Sequence, residues 1–327
     1  MLFLIPWLLM FSLVDDQVHT VNGPLPLTAM GKTLIHEHIL VDFIGADKID
    51  PKRWDRSAVV NKAVPFIRAA QLMGIRTIFD CTPAYLGRDP LLLKALADST
   101  GIHILTNTGL YGASDNKYLP AYAFTETAEE LSNRWIEEWD HGIEGTGIRP
   151  GFIKIGVNDG PLSPLHRKLV EAAGITHLAT GLTICSHTGR AIAAFDEIKV
   201  LQKAGVDPSA FVWVHAQSEP DIAQLLKAAR TGAWVSLDGI SSNNIREYIP
   251  KLYTLKAGGV LSHVLISHDA GWYKPGEPDG GEFNGFTNIC QELLPALTNN
   301  GFTQSELDTL LIINPATAFQ PSIRSIK

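Results

Sequence analysis

After Val18 the chain alternates eight times between a short β-rich run and a longer helical pattern, and no other feature restricts the fold as much. The runs fall at 34–41, 76–81, 103–110, 151–157, 182–187, 211–215, 234–237 and 264–269. Helical stretches are expected after them, among others at 57–73, 90–98, 127–138 and 283–299. Glycine closes several cycles, as at Gly74, Gly101, Gly142, Gly205, Gly232 and Gly301. Parallel strand–helix units in this number close into an α/β fold, a single-domain (β/α)8 TIM barrel. An open doubly wound sheet would splay the strand ends apart, and neither a Gly-x-Gly-x-x-Gly nor a P-loop pattern supports one. The long loops 111–124 and 270–282, rich in Gly, Pro and aromatics, are expected to cover the barrel mouth.

Composition agrees with one large domain: 327 residues, 45% hydrophobic and 19% charged, without a linker, repeat or composition shift. The net charge of -7 and the absence of a Lys/Arg cluster argue against a polyanion-binding surface, so nucleic acid is not expected as a partner. Cys81, Cys185 and Cys290 are odd in number and far apart, which indicates neither a disulfide framework nor a zinc ribbon. Residues 1–16 read as a signal peptide or an apolar N-terminal extension, and residues 17–327 as the barrel. The apolar stretch 1–14 is shorter than the roughly 20 residues of a stable membrane span. Export to the periplasm or medium follows if that stretch is a signal peptide, and a cytoplasmic location if it is not.

Chemistry is suggested by what closes the runs. His36 and His38 flank Glu37 at the end of the first, and alternate residues of a strand project to one side. Lys154, His187, His215 and Asp269 close the fourth, fifth, sixth and eighth. Imidazoles and a carboxylate gathered at the C-terminal ends of parallel strands form a metal-binding set. By the same alternation Glu37 points outward toward the surrounding helices and His268 faces away from the barrel axis. Trp213, two residues before His215, falls in a lower interior layer, and Cys185 packs inside below His187. His19, His103, His141, His166, His177 and His263 lie off the ligand-bearing ends and read as ordinary packed or surface histidines.

This pattern resembles the amidohydrolase superfamily and, within it, the phosphotriesterase-like family. The resemblance covers nearly the whole chain. It includes Thr20-Val21-Asn22-Gly23-Pro24, Thr33-Leu34-Ile35-His36-Glu37-His38, Gly109-Leu110-Tyr111, Ser267-His268-Asp269 and Asn314-Pro315. It implies two divalent cations, the more buried held by His36, His38 and Asp269 and the more exposed by His187 and His215, with Lys154 bridging both as a carbamate. Independently of the resemblance, an ammonium beside two dications would be repelled, which favours the neutral amine that carbon dioxide carboxylates. The alternative is an unmodified Lys154 in a salt bridge. Zinc is the default ion; manganese, cobalt or iron would also suit imidazole and carboxylate ligands.

The activity so implied is metal-assisted hydrolysis: a metal-bridged hydroxide attacks a small ester while Asp269 orients it and carries its proton to the leaving group. A lactone or carboxylic ester is the favoured substrate, with phosphotriester hydrolysis as a side activity. Tyr111 would meet the substrate, as in lactonase members. The chain departs from acyl-homoserine lactonases at Leu237-Asp238-Gly239, where those enzymes carry an Asp-Arg pair. Two alternatives stand beside this reading: an amidase acting on a small N-acyl compound, and a non-catalytic small-molecule binding protein on the same scaffold. Analogy also suggests a homodimer.

Overall fold

The computed structural model describes residues 16–326. The apolar stretch read as a signal peptide or N-terminal extension lies, apart from Asp16, outside the described residues. Among the described residues no helix is long and apolar enough to cross a membrane.

A hairpin, Gln17–Thr20 with Gly23–Pro26, precedes the barrel. The barrel strands are, in chain order, Lys32–Leu40, Ile75–Asp80, His103–Leu105 continued by Asn107–Thr108, Phe152–Gly156, Ile184–His187, Phe211–Val214, Trp234–Leu237 and Val264–Ile266. From strand one to strand eight, consecutive barrel strands pair parallel. Their ladders form two arcs. The arcs meet in the third strand, whose first piece pairs with strand two and whose second piece pairs with strand four, across Thr106.

The other seam is closed at strands one and eight. His36 N donates to Ser267 Oγ at 3.0 Å, Asp269 N to His36 O at 2.9 Å, and His38 N to Ala270 O at 2.8 Å. Beyond strand eight, Gly271–Tyr273 adds itself parallel to strand one. That approach requires glycine: at φ +100°, a Cβ on Gly271 would lie 1.9 Å from His38 O.

Side chains divide into two buried layers, as alternation along a strand demands. Ile35, Phe79, Leu105, Phe152, Cys185, Val212 and Leu265 fill the barrel interior. Phe319, from the C-terminal helix Asn314–Phe319, packs edge-on against Phe79 at 4.5 Å and plugs the N-terminal end with Met30 and Val18. The opposite faces, including Leu34, Ile78, Ile153, Ile184, Phe211 and Leu237, meet the helices. Asp55 caps the first of those helices, Arg56–Leu72, and a Thr127/Glu130 capping box starts Ala128–His141.

Several expected boundaries move. Strand six stops at Val214 and strand eight at Ile266, so His215 and Asp269 sit just past their strands. The helix expected over 283–299 starts only with the π-helical turn Ile289–Leu293, leading into Leu294–Asn299. The residues before it are drawn into the loop, where Asn284 N bonds to Gly271 O at 2.9 Å and Phe283 and Phe286 pack into the core. Trp213 does not lie inside the barrel. It points outward to Phe195 of the helix Ala191–Lys203, and its Nε1 donates to Gly189 O at 3.1 Å.

Candidate metal centre

Strand one slips register against strand two between Leu34 and Glu37. The irregularity lets Ile35 fill the barrel interior while His36, one residue on, still turns into the mouth. His36 Nε2 and His38 Nε2 then lie 3.6 and 3.2 Å from Asp269 Oδ1. Each ring is held from behind. His38 Nδ1 is 2.7 Å from Thr82 Oγ1, whose own hydrogen goes to Leu40 O, so the imidazole is the donor. His36 Nδ1 donates to Asp238 Oδ2 at 3.1 Å. Both Nε2 lone pairs are thereby aimed at Asp269.

Asp238 braces a second histidine. Its Oδ1 accepts from His215 Nδ1 at 2.5 Å, while Ser236 Oγ, Gln217 Nε2 and His215 N donate to the same carboxylate at 2.8, 3.1 and 3.2 Å. Burial alone would raise its pKa, but His215 and His36 outweigh that and hold it well below the usual carboxylate range. Asp238, His36 and His215 lie close enough to hold an ion themselves. The carboxylate oxygens are committed to the Nδ1–H donors, so Asp238 acts as a brace rather than a ligand.

His215 and Asp269 both adopt left-handed backbone, at φ +64° and +53°. At His215 this conformation turns the side chain into the mouth although Trp213 faces out, which strict alternation would forbid. Asp269 Oδ1 is buried without a hydrogen-bond partner. An orphaned carboxylate oxygen facing two imidazole lone pairs fits a divalent cation, which would supply the partner that no donor provides.

On the other side His187 closes strand five, its ring 4.4 Å from that of His215. Its nitrogens lie 3.1 and 3.2 Å from the Tyr111 hydroxyl. Burial, with His215 and Lys154 nearby, keeps His187 neutral by lowering its pKa well below the ordinary value. Lys154 is 1% exposed and lines the same pocket. All six expected ligands and Tyr111 thus converge at the C-terminal ends of the strands. Val41, Phe43, Pro83, Leu86 and Trp272 complete the wall around a cavity of about 80 Å³. A larger cavity, about 560 Å³, opens beside Tyr85 and Arg88 but contains none of these ligands.

Glu37 corrects an expectation. It is fully buried, and instead of reaching the helices it grips the end of strand eight. Oε1 accepts from Ser267 Oγ, His268 N and His268 Nδ1 at 2.8, 3.0 and 2.8 Å, and Oε2 from Ala270 N at 2.9 Å. The residue between the two histidines thus shapes the turn that presents Asp269. His268 does face off the axis, where its Nε2 accepts from Ile289 N at 3.1 Å. Asp238 and Thr82 escape a reading based on ligand types alone. The available signal is that Asp238 closes its apolar run, Trp234-Val235-Ser236-Leu237, as the ligands close theirs.

The sequence model of the Phosphotriesterase family matches residues 16–319. A "Phosphotriesterase homology protein" of Escherichia coli is 29% identical over 294 residues, covering 89% of this chain and 98% of the relative. An "N-acetyltaurine hydrolase" of Rattus norvegicus is 27% identical over 347 residues, covering 93% and 98%. Among solved structures, a mutant PTE-like lactonase from Deinococcus radiodurans superposes with a TM-score of 0.83 at 27% identity, covering 92% of this chain and 99% of that one.

Proposed function

The chain belongs to the phosphotriesterase family, and on that premise we propose that it is a binuclear metal-dependent hydrolase of small esters, acting on a lactone or carboxylic ester, with phosphotriester hydrolysis as a side activity. The observation that carries this reading is the orphaned Asp269 Oδ1 facing the braced Nε2 atoms of His36 and His38. Those three residues would hold one ion. His187 and His215 would hold the other, and Lys154 would bridge the two as a carbamate. The burial of Lys154 among the histidines of the pocket supports the carbamate, since an ammonium held there without a counter-charge is costly. Zinc is the ion proposed, and manganese, cobalt or iron would fit the same donors.

When bound, such a pair of ions supplies a Lewis acid for the substrate oxygen and makes water acidic enough to attack near neutral pH. The protein's own groups do the rest. Asp269 takes the proton of the attacking water and returns it to the departing oxygen as the acyl C–O bond breaks. Tyr111 stays protonated, because burial raises its phenol, and can donate to a substrate oxygen beside His187. The apolar wall of Val41, Phe43, Leu86 and Trp272 seats a small uncharged body and keeps bulk water away.

The N-acetyltaurine hydrolase relative favours a second reading, an amidase acting on a small N-acyl compound. The same residues would serve, with Asp269 returning the proton to a leaving amine. The deciding measurement is elemental analysis of protein grown with bicarbonate, coupled to hydrolysis of a panel of lactones, esters and N-acyl compounds before and after chelation. Close to two ions per chain, with activity lost on chelation and restored on refilling, is the expected result. Metal without turnover of any panel member, or no metal after refilling, would move the weight to a non-catalytic binding protein.

A further inference from the structure

Three of the four histidines in the mouth have a ring nitrogen held from behind, His36 and His215 by Asp238 and His38 by Thr82. His187 has no such brace: among the described residues its ring nitrogens meet only the Tyr111 hydroxyl, which lies on the cavity side. Its orientation must come from the backbone that carries it. Directly behind that backbone, on the helix Ala191–Lys203, sits Glu197, fully buried.

Glu197 straddles His187. Ser186 Oγ donates to Oε1, and Thr188 Oγ1 lies 2.6 Å from Oε2. The residues immediately before and after the histidine are thus tied to one carboxyl group, and Thr188 N is further tied to Val214 O of strand six at 3.3 Å. The carboxyl's hydrogen-bond partners are those two hydroxyls. A buried carboxyl held only by hydroxyls is a costly way to join a helix to a strand, where an apolar side chain would serve. It gains meaning if the strand end must be held in one rotation.

We infer that Glu197 is the positioning residue for His187, clamping the backbone on both sides of the one imidazole that lacks a ring brace and so setting the second ion position. The inference rests on the binuclear reading proposed above. It concerns the second position alone, since the ligands of the first are braced by Asp238, Thr82 and Glu37.

The test compares Glu197→Gln, which keeps a hydrogen-bonding group at both oxygens, with Glu197→Leu, which keeps the volume and loses both bonds. Each is titrated with zinc by equilibrium dialysis, and metal-free melting temperatures are recorded in parallel. Loss of an outer-shell partner of a ligating histidine weakens metal affinity by roughly 10- to 100-fold. The expected result is that Glu197→Leu weakens the second zinc equivalent by about tenfold or more, leaves the first unchanged, and that Glu197→Gln restores most of the loss. Thr188→Val, which removes one arm of the clamp, should shift the second equivalent in the same direction and covers the case where the leucine variant does not fold. Unaltered binding of the second equivalent in these variants would overturn the clamp while leaving the binuclear reading intact. Equal weakening of both equivalents would assign Glu197 a general structural role and overturn it as well. A wild-type protein that binds fewer than two equivalents would defeat the binuclear reading, and the clamp with it.

Discussion

Asp238 and His215 are joined by a hydrogen bond of 2.5 Å from imidazole Nδ1 to carboxylate Oδ1, while the other oxygen of the same carboxylate holds His36. One acidic group therefore sets the tautomer of a histidine in each of the two proposed ion positions. Asp238→Asn keeps the shape but has one carbonyl oxygen for two Nδ1–H donors, and its NH2 would force one ring into the wrong tautomer. Metal affinity should fall by roughly 10- to 100-fold with the fold preserved. Zinc titration read beside far-UV circular dichroism checks this, and wild-type affinity in the variant would show that the brace is dispensable.

Tyr111 touches His187 from the cavity side and so can either hold that ring or meet the substrate. Tyr111→Phe removes one hydrogen bond, an effect of about 2- to 10-fold on kcat/KM if the hydroxyl faces the substrate. In that case the metal content stays at the wild-type level. A variant that loses zinc in proportion to activity would assign the hydroxyl to His187.

Glu197 also makes a pH prediction. Its carboxyl is pushed up to about 8 from an ordinary 4.5, burial outweighing the Ser186 and Thr188 hydrogen bonds and the influence of Lys154. The folded protein therefore keeps a proton that the unfolded chain has released. The stabilisation is complete below pH 4.5 and is lost as the pH rises toward 8. Glu197→Gln carries no such proton. Urea midpoints of the metal-free proteins at pH 5, 7 and 9 should show the glutamine variant gaining on wild type as the pH rises, at up to about 1.4 kcal/mol per pH unit. Parallel curves would mean that the carboxyl is ionised in the fold.

The barrel was legible because its cause is local: each β-rich run and each helical pattern carries its own periodicity. The convergence of the six expected ligands was legible for the same reason, each lying at the end of an apolar run. Period two misleads where a strand stops. Trp213 and His215 share a phase in the sequence, but the left-handed residue at 215 turns the histidine inward while the tryptophan stays on the outer face. Glu37 misleads for another reason. Its partners Ser267 and His268 lie 230 and 231 residues away, and only closure of strand eight on strand one brings them within reach. Asp238 closes its own run, which marks it as a residue of the mouth, but its bracing role exists only relative to two histidines on other strands.

Closure of the mouth rests on a close backbone approach that one methyl group can probe. Gly109, at φ +117°, ends the third strand so near the fourth that an added Cβ would lie 2.2 Å from Lys154 O. Gly23, at φ +106° in the hairpin, has a comparable backbone but nothing within 4 Å of such a Cβ. Alanine at either site must pay the strain of a positive φ, about 1–2 kcal/mol. Only at Gly109 does it also push Tyr111 and Lys154 apart. Gly109→Ala should therefore lower the urea midpoint well beyond Gly23→Ala and abolish most hydrolysis, whereas Gly23→Ala retains wild-type turnover on a folded-protein basis. If the two variants prove equally stable and equally active, the strand-three end can yield without disturbing the metal ligands, and the close packing of Gly109 on Lys154 has no part in building the site.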